Sequence, residues 1–288
     1  MAHQLIHDPL PGVEARPYGG HYTILDHGAH VLAWQPPGER PVLWTSRKSR
    51  FEPGMAIRGG VPVIFPWFGS GRTGSIMPAH GLARTVPWRR VLVDDGLDSG
   101  GPLTVEYALD DSATGHPEAF PHQYQAALVA RFASDALEVA LTVTNTCDEE
   151  FTFEAALHTY LAVGDIRHVH VSGLDGLAYL DTVPGAAQPH QVQQGLVRFS
   201  AETDRLYDHT GEVLVVDEDW GRTLRVTKDG SATTVVWNPW VAKAAAMGDF
   251  GDDEWPEMLC IEAANVRHHA VTLAPGDSHR MAQRITLA

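Results

Sequence analysis

One segment near the middle of the chain reads FTFEAALHTYLAV, from Phe151 to Val163, and decides how the rest is interpreted. Successive side chains of a strand point to opposite faces, so this segment predicts two faces of different character. The apolar face holds Phe151, Phe153, Ala155, Leu157 and Leu161. The opposite face holds Thr152, Glu154, Ala156, His158 and Tyr160. We expect the apolar face to lie in the core, while the other face presents His158 from a rigid support.

The composition is that of an ordinary globular protein with a sizeable core. Of the 288 residues, 44% are hydrophobic and 20% are charged, which are typical shares. No apolar run approaches the roughly 18 residues that a membrane-spanning helix needs. The first residues lack both the basic and the apolar segment of a secretion signal. We therefore expect a cytoplasmic monomer without a membrane partner, folded as a single domain over residues 1–288.

The net charge of −15 restricts the partners of the protein. Nucleic acids and anionic membranes attract clustered basic surfaces, so we expect neither as a partner. An anionic substrate would need a local group of arginines that acts against this overall charge. The two cysteines, Cys147 and Cys260, lie far apart and match no metal-ligand spacing, so we expect two reduced structural thiols.

Alternation of apolar and polar residues is the main signal along the chain. Residues 124–132 and 136–145 alternate on either side of a short turn and predict a β-hairpin. Further strands are expected at residues 22–25, 30–35, 41–44, 103–109, 168–172, 213–217, 223–227, 233–237, 258–263, 270–273 and 281–287. One short helix is expected at residues 241–247, and surface loops at residues 94–102 and 181–194. Many short strands without regular βα alternation predict an all-β fold, a large antiparallel β-sandwich.

The segment RGGVPVIFPWFG, which begins at Arg58, is unusual for a strand. Pro62 and Pro66 interrupt its ladder hydrogen bonds, so the chain must bend or lie at a sheet edge. Gly59 and Gly60 would allow the backbone to come close to a ligand beside Arg58. An edge strand with a solvated arginine also fits this segment.

A second arginine, Arg84, ends the segment HGLAR that begins at His80. Guanidinium groups bind phosphate through paired, planar hydrogen bonds, so Arg58 and Arg84 could together clamp a phosphate. Arg72 lies in a glycine-rich loop between them and could close over the same group. This loop lacks the G-K-[ST] ending of a P-loop, which disfavours a nucleotide site.

His158 and Glu262 are the candidate proton carriers. His158 lies on the non-core face of its strand, although a strand histidine often has only a structural role. Glu262 lies in an apolar segment and shares a face with Met258 and Cys260. Burying an unpaired carboxylate is costly, so its presence there needs a reason, and function is one such reason. We predict that Glu262 and His158 lie across from each other in one site.

The sixteen histidines also allow a metal hypothesis. His168 and His170 lie two residues apart on one predicted strand, as in the metal motif of cupin barrels, and His268-His269 forms another pair. No carboxylate follows His170 at close spacing. A metal-dependent, cupin-like sugar isomerase with His168 and His170 as ligands stays open as an alternative.

Six segments occur in order between residues 58 and 262, and they read RGGVPVIFP, HGLAR, LHTY, ETDRLY, VVWNPW and CIE. As an ordered set they resemble the glucose-6-phosphate 1-epimerases, or hexose-6-phosphate mutarotases, of the aldose 1-epimerase superfamily. The resemblance implies a β-supersandwich that interconverts the α and β anomers of hexose 6-phosphates without a cofactor or metal. By match to the family's motifs, His158 resembles the general acid and Glu262 the general base. The substrate-binding residues expected beside them are Arg58, His80, Arg84, Asp204 and Trp237.

Two departures from the family pattern affect the expected pocket. Ala79 stands where family members often have Gln, and Ala263-Ala264-Asn265 follow Glu262 in place of Pro-Gly-His. The fold could therefore have moved to another substrate. A non-catalytic carbohydrate-binding sandwich, which would rely on tryptophans rather than on a proton-carrying pair, is the other open alternative.

Overall fold

The computed structural model describes residues 3–6, 8, 10–96 and 99–288. The strands in chain order are β1 (Gln4–Ile6), β2 (Gly12–Ala15), β3 (His21–Leu25), β4 (His30–Gln35), β5 (Val63–Ile64), β6 (Arg89–Asp95), β7 (Leu103–Asp110), β8 (Tyr124–Phe132), β9 (Ala136–Asn145), β10 (Phe151–Phe153), β11 (Ala155–Leu157), β12 (Tyr160–Ala162), β13 (Val169–Ser172), β14 (Ala178–Asp181), β15 (His190–Val192), β16 (Val197–Arg198), β17 (Thr203–Asp208), β18 (Val213–Asp217), β19 (Arg222–Asp229), β20 (Thr233–Asn238), β21 (Met258–Asn265), β22 (Val271–Leu273) and β23 (Ser278–Leu287). The α-helices are α1 (Asp111–Thr114) and α2 (Trp240–Ala246). Single 3-10 turns occur at Pro17–Gly19, Ala83–Thr85, Ile166–His168, Trp255–Glu257 and Arg267–His269. No helix in these ranges is both long and apolar enough to cross a membrane.

Among the described residues, two large antiparallel sheets form the body of the fold. The nine-stranded sheet has the order β16-β13-β18-β19-β23-β9-β8-β7-β6. The eight-stranded sheet has the order β15-β14-β17-β20-β21-β11-β5, and β12 also pairs with β21. A smaller sheet, β1-β2-β3-β4, and the pair β10-β22 complete the strand pairing of the described chain. The predicted all-β fold with large antiparallel sheets and very little helix is confirmed.

The main core joins the two large sheets. Leu141 of β9 and Met281 of β23 belong to the same buried cluster as Leu157 of β11 and Ile261 of β21. The other side of the eight-stranded sheet packs in a separate, smaller cluster that includes Cys260. We call the side toward the main core the inner face of the eight-stranded sheet, and the opposite side its outer face.

The central segment is not the single strand that its alternation predicts. It is divided into β10, β11 and β12, and β10 pairs with β22 whereas the other two pair with β21. The interruptions fall at Glu154 and at His158 and Thr159, and the backbone N–H of Thr159 donates to the carbonyl of Leu157. The predicted division into two faces holds, with Leu157 inside the main core and Tyr160 in the smaller cluster. The second face is nevertheless mostly buried: Thr152 is exposed, but Ala156 and Tyr160 are at most 1% exposed and pack in the smaller cluster.

Most predicted strands are present, and β4, β8, β9 and β18 have the predicted bounds. Residues 41–44 do not form a regular strand, because Leu43 makes only an isolated bridge to Leu161 and Pro41 cannot donate to a ladder. The prediction misses β1, β2, β6, β14, β16 and β17, and β15 lies inside the predicted loop 181–194. Residues 97 and 98 of the predicted loop 94–102 lie outside the described residues. The predicted helix corresponds to α2.

The glycines beside Arg58 have a different role from the predicted one. Gly59 and Gly60 have φ values of 131° and 58°. A Cβ on Gly59 would lie 2.3 Å from Thr45 Cα, and one on Gly60 would lie 2.2 Å from the Val31 carbonyl oxygen. They therefore permit close approach of the protein's own backbone rather than of a ligand. The following strand, β5, lies at an edge of the eight-stranded sheet, as its flanking prolines predict.

Candidate active site

A cavity of about 650 Å³ lies on the outer side of the eight-stranded sheet. Its lining contains every residue that the sequence predicts for the site, namely Arg58, His80, Arg84, His158, Asp204, Trp237 and Glu262. Asp204 comes from β17, Trp237 from β20 and Glu262 from β21, while His158 follows directly after β11. Adjacent strands of one sheet thus position part of the site, and loops at its edge supply the remainder.

His158 and Glu262 contact each other inside this cavity. His158 Nε2 lies 3.4 Å from Glu262 Oε1, and only 8% and 1% of the two side chains are exposed. The His158 ring stacks on Tyr160 with 4.9 Å between the ring centroids. Among the described residues, neither His158 Nδ1 nor Glu262 Oε2 has a hydrogen-bond partner. Each member of the pair thus has one buried polar atom without a partner in the described chain.

The surroundings of the pair favour the neutral form of both residues. Burial raises the pKa of Glu262 well above its usual value, Asp204 raises it further, and Arg84 opposes the shift. Burial lowers the pKa of His158 to about 3, with Arg84 and then Arg58 adding to the effect. The cause is desolvation, which disfavours the charged form of either group.

The two predicted phosphate-binding arginines differ in how freely they can bind a ligand. The Arg58 guanidinium donates to both carboxylate oxygens of Asp249 and, at 2.9 Å, to the Tyr160 hydroxyl. Arg84 donates to the Ala79 carbonyl at 2.8 Å, and its Nε has no hydrogen-bond partner in the described chain. Burial, together with the charge of Arg58, lowers the pKa of Arg84 to about 10. Of these two arginines, only Arg84 has a buried side-chain donor without a partner in the described chain.

Further cationic side chains line the cavity, and they are Arg72, Lys243 and Arg267. Lys243 lies on α2, and its Nζ is 2.9 Å from Glu202 and 3.9 Å from Asp204. A local group of positive charge thus exists within an acidic protein, and it is larger than the sequence interpretation proposed. That interpretation missed Lys243 and Arg267, although the short helix after VVWNPW was a signal for Lys243.

His80 and Asp204 line the cavity close to the pair, and both are half-buried. The His80 ring centroid is 5.6 Å from that of His158, and burial lowers the pKa of His80 so that its ring is neutral. His80 Nδ1 accepts a hydrogen bond from the Gly69 N–H at 3.3 Å. Burial raises the pKa of Asp204, and Lys243 partly offsets this shift. Both residues therefore shape the electrostatics of the cavity.

The tryptophans are divided between the cavity and the core. Trp237 lines the cavity with its ring edge-on to His158, at a centroid distance of 6.0 Å. Trp67 packs in the main core and donates to the Pro78 carbonyl. Trp240 packs against Trp255 at 4.3 Å. Of these three tryptophans, only Trp237 is placed within the described chain to contact a ligand in the cavity.

Glu154 has a part in the cavity that sequence reasoning missed. Its Oε2 accepts from the Phe68 N–H at 3.0 Å, and its Oε1 accepts from the Arg267 N–H at 2.7 Å. Phe68 begins the glycine-rich loop that carries Arg72, so Glu154 links two segments that line the cavity. The alternation of the central segment, which places Glu154 and His158 on one face, was the available signal.

His168 and His170 do not share one ligand position in the described structure. His168 ends a 3-10 turn with its Nδ1 2.9 Å from Asp219, whereas His170 in β13 lies 3.2 Å from Glu218. Neither residue belongs to the lining of the cavity. A cupin-like metal pair built on these two histidines is therefore not what the fold forms, because each imidazole faces a different carboxylate.

The described residues thus form an all-β fold whose charged cavity contains a buried imidazole–carboxyl pair. The model of the family "Aldose 1-epimerase" matches residues 15–286. The chain belongs to the aldose 1-epimerase family. It is an isomerase that interconverts the anomers of a sugar, as the ordered segments of the sequence predict.

Named relatives agree with this membership. A protein of Escherichia coli (strain K12), provisionally named glucose-6-phosphate 1-epimerase, is 37% identical over 244 residues, which cover 82% of this chain and 77% of the relative. A Salmonella typhimurium protein with the same provisional name is 36% identical over 265 residues, covering 91% and 85%. The crystal structure of a provisionally named mutarotase from Salmonella typhimurium matches with a TM-score of 0.87 and 30% identity, covering 98% of this chain and 92% of that one.

Proposed function

We propose that the protein interconverts the α and β anomers of a hexose 6-phosphate, with Glu262 and His158 as the proton carriers. The observation that carries this proposal is the 3.4 Å contact between His158 Nε2 and Glu262 Oε1 in a cavity lined by cationic side chains. The provisional names of the two bacterial relatives support the phosphorylated substrate.

The reaction needs two proton transfers at neighbouring oxygens. One group takes the proton of the C1 hydroxyl while the other gives a proton to the ring oxygen, which opens the ring. The free aldehyde then rotates about the bond from C1 to C2 and closes again with the roles reversed. Both oxygens are bonded to the same carbon, so their proton partners must also be neighbours. The contact between His158 and Glu262 meets this requirement, and the chemistry needs no cofactor.

The pair alternates between two states that hold the same number of protons. In one state Glu262 is a carboxylate and His158 an imidazolium, and in the other state both are neutral. The ligand-free surroundings favour the neutral state. A phosphate bound near Arg84 and Arg58 would offset the positive charge that lowers the pKa of His158. Substrate binding would thereby favour the state in which His158 donates its proton.

The remaining lining residues have separate proposed roles. Arg84 binds the phosphate most strongly because its Nε lacks a partner in the described chain, whereas Arg58 is already bound to Asp249. Asp204 accepts a hydrogen bond from a sugar hydroxyl, and Trp237 and His80 contact the ring. The cations beside Arg84 supply long-range attraction for the anion within a protein of net charge −15.

Exchange NMR on glucose 6-phosphate tests the proposal, because it measures anomer interconversion directly at equilibrium. We expect the wild-type protein to raise the exchange rate well above the spontaneous rate. Replacing His158 with Asn should lower the catalysed rate by about 10²–10⁴-fold. A wild-type protein that binds the sugar phosphate but leaves the exchange rate at its spontaneous value would be a carbohydrate-binding sandwich, and the catalytic proposal would fail.

We also propose that the enzyme acts in the cytoplasm as a monomer. The support is that Cys147 and Cys260 are both free thiols, as is usual in a reducing compartment. Light scattering coupled to size-exclusion chromatography tests the monomer, for which a mass close to 31.4 kDa is expected.

A further inference from the structure

Cys260 lies beside the proposed catalytic pair, where the sequence suggested only an inert thiol. It precedes Glu262 by two residues on β21, so both side chains project from the outer face. The sheet register places Cys260 opposite Tyr160 on β12 and Trp237 on β20. One ligand atom each from His158, Cys260 and Glu262 all lie within 4.8 Å of one another, and all three residues are buried.

These three ligand atoms have the chemistry of a soft divalent cation site and lie close to the spacing that it needs. Zinc binds sulfur at about 2.3 Å and nitrogen or oxygen at about 2.0–2.2 Å, in a tetrahedron, so its ligands lie roughly 3.3–3.7 Å apart. His158 Nε2 and Glu262 Oε1 are already 3.4 Å apart. Three protein ligands leave a fourth position, and His158 and Glu262 both line the cavity from which it would be filled.

Protein contacts among the described residues leave one polar atom of each member of the pair without a partner. Within the described chain, His158 Nδ1 and Glu262 Oε2 are buried without hydrogen-bond partners. Burial raises the pKa of Cys260 well above its usual value, so its thiol is protonated in the free enzyme. A bound cation would therefore displace the thiol proton and the Glu262 proton into solvent. The resulting thiolate and carboxylate would neutralise the two charges of the cation.

Two other groups of possible ligands in the described residues are weaker candidates. Asp208, His268 and His269 lie together on the surface, and the Asp208 and His268 side chains are 54% and 67% exposed. The second exposed group contains Asp165, whose carboxylate is occupied by Arg167. Neither group contains a thiol, and neither is enclosed. The buried group with Cys260 therefore combines the best ligand chemistry with the best shielding from water.

We propose that His158, Cys260 and Glu262 bind zinc or cadmium and that the bound cation inhibits the enzyme. The inhibition rests on the proposed function, because a cation on His158 and Glu262 occupies the two groups that must exchange protons with the sugar. Cys260 has no part in that chemistry; it determines whether the cation binds tightly. His158 and Glu262 thus form the proposed catalytic pair without the cation, and together with Cys260 they form its three-ligand set.

Titration with cobalt(II) tests the site independently of activity, because a cobalt–thiolate bond gives a strong near-ultraviolet absorption band. We expect wild-type protein and Cys147→Ala to show this band with one equivalent of cobalt, and Cys260→Ala to lack it. In exchange NMR, Cys260→Ala should keep its anomerisation activity and need more than about 100-fold more zinc for half-inhibition, since losing a ligand costs more than the roughly 10–100-fold typical of an outer-shell partner. Cys147→Ala, the matched control, should be inhibited like the wild type.

Other outcomes would contradict either the cation site or the proposed function. A cobalt band that persists in Cys260→Ala, or equal zinc sensitivity of both variants, would overturn the site, as would activation of the enzyme by zinc. Circular dichroism establishes that Cys260→Ala is folded, and Cys260→Ser provides a second variant if it is not. A wild-type band without any anomerisation activity would retain the cation site and instead refute the proposed function.

Discussion

The two faces of β21 carry different physical roles although they are equally buried. Leu259, Ile261 and Ala263 point inward and pack in the main core, while Cys260 and Glu262 point outward. Each of these five side chains is at most 1% exposed. Burial of a large apolar side chain stabilises the fold by about 1.5–3 kcal/mol, whereas burial of a polar group without partners destabilises it. The inner face therefore supplies stability that offsets the cost of placing a reactive carboxyl on the outer face.

The strongest test of this contrast replaces the outer-face carboxyl. Glu262→Gln should lower the anomer exchange rate by about 10²–10⁴-fold because it removes one proton carrier. Exchange NMR measures the loss. Glu257→Gln, in the turn just before β21 and with a side chain 48% exposed, is the matched control and should keep full activity. Full activity of Glu262→Gln would show that another residue carries the proton.

Glu262→Gln should not lower the free energy of unfolding, whereas an ordinary core substitution does. The folded protein raises the pKa of Glu262, so the native state holds this proton more tightly than the unfolded chain does. Stability therefore falls as pH rises from the usual Glu pKa toward the raised one. Gln cannot ionise and avoids that loss. Thermal unfolding at pH 8 should give an equal or higher Tm than the wild type, and a much lower Tm would contradict the sign.

A substitution on the inner face should have the opposite pattern. Ile261→Ala leaves a cavity in the main core and should lower the free energy of unfolding by about 2–5 kcal/mol. The exchange rate per folded molecule should stay close to that of the wild type. Urea unfolding measures the first effect, and Val192→Ala, at a position 51% exposed, is the control with a change below about 0.5 kcal/mol. A stable but inactive Ile261→Ala would contradict the assignment of stability to the inner face and of catalysis to the outer face.

A smaller effect is expected from the cations that surround the outer face. Arg84→Ala should raise the KM for glucose 6-phosphate by about 10–100-fold, because a hydrogen bond between charged groups is lost. Arg58→Ala should have a smaller effect, since Arg58 is already bound to Asp249. Free glucose is the control substrate and should be affected little by either change. Equal losses on both substrates would mean that the arginines are structural.

The smallest effect is expected on the pH range in which His158 and Glu262 together hold one proton. The acid limit follows the low pKa of His158, about 3, and the alkaline limit follows the raised pKa of Glu262. Asp204→Asn removes a negative charge that raises the pKa of Glu262, so the alkaline fall in kcat/KM should move to lower pH. Exchange rates measured from pH 6 to pH 10 would show the shift. A move to higher pH would contradict the assigned electrostatics.

Sequence reasoning placed strands best where periodicity is strong, and it missed one strand that lines the cavity. The hairpin of β8 and β9 alternates cleanly and was predicted at its observed bounds. The strand β17, which contributes Asp204 to the cavity, was missed because its polar residues obscure the alternation. Polar positions on an otherwise buried strand reflect function rather than folding, so local rules fail there. The partner of Arg58, Asp249, is 191 residues away and could not be inferred from spacing.

The sequence by itself determined the all-β class, the two faces of β21 and the residue types that could exchange protons, because alternation along a strand is a local property. The tertiary structure alone decided that His158 and Glu262 meet at 3.4 Å, that both favour their neutral forms, and that Cys260 joins them. These properties depend on distances and desolvation among residues far apart in the chain. No pattern along the chain encodes them directly, since burial and Coulomb interactions act through space.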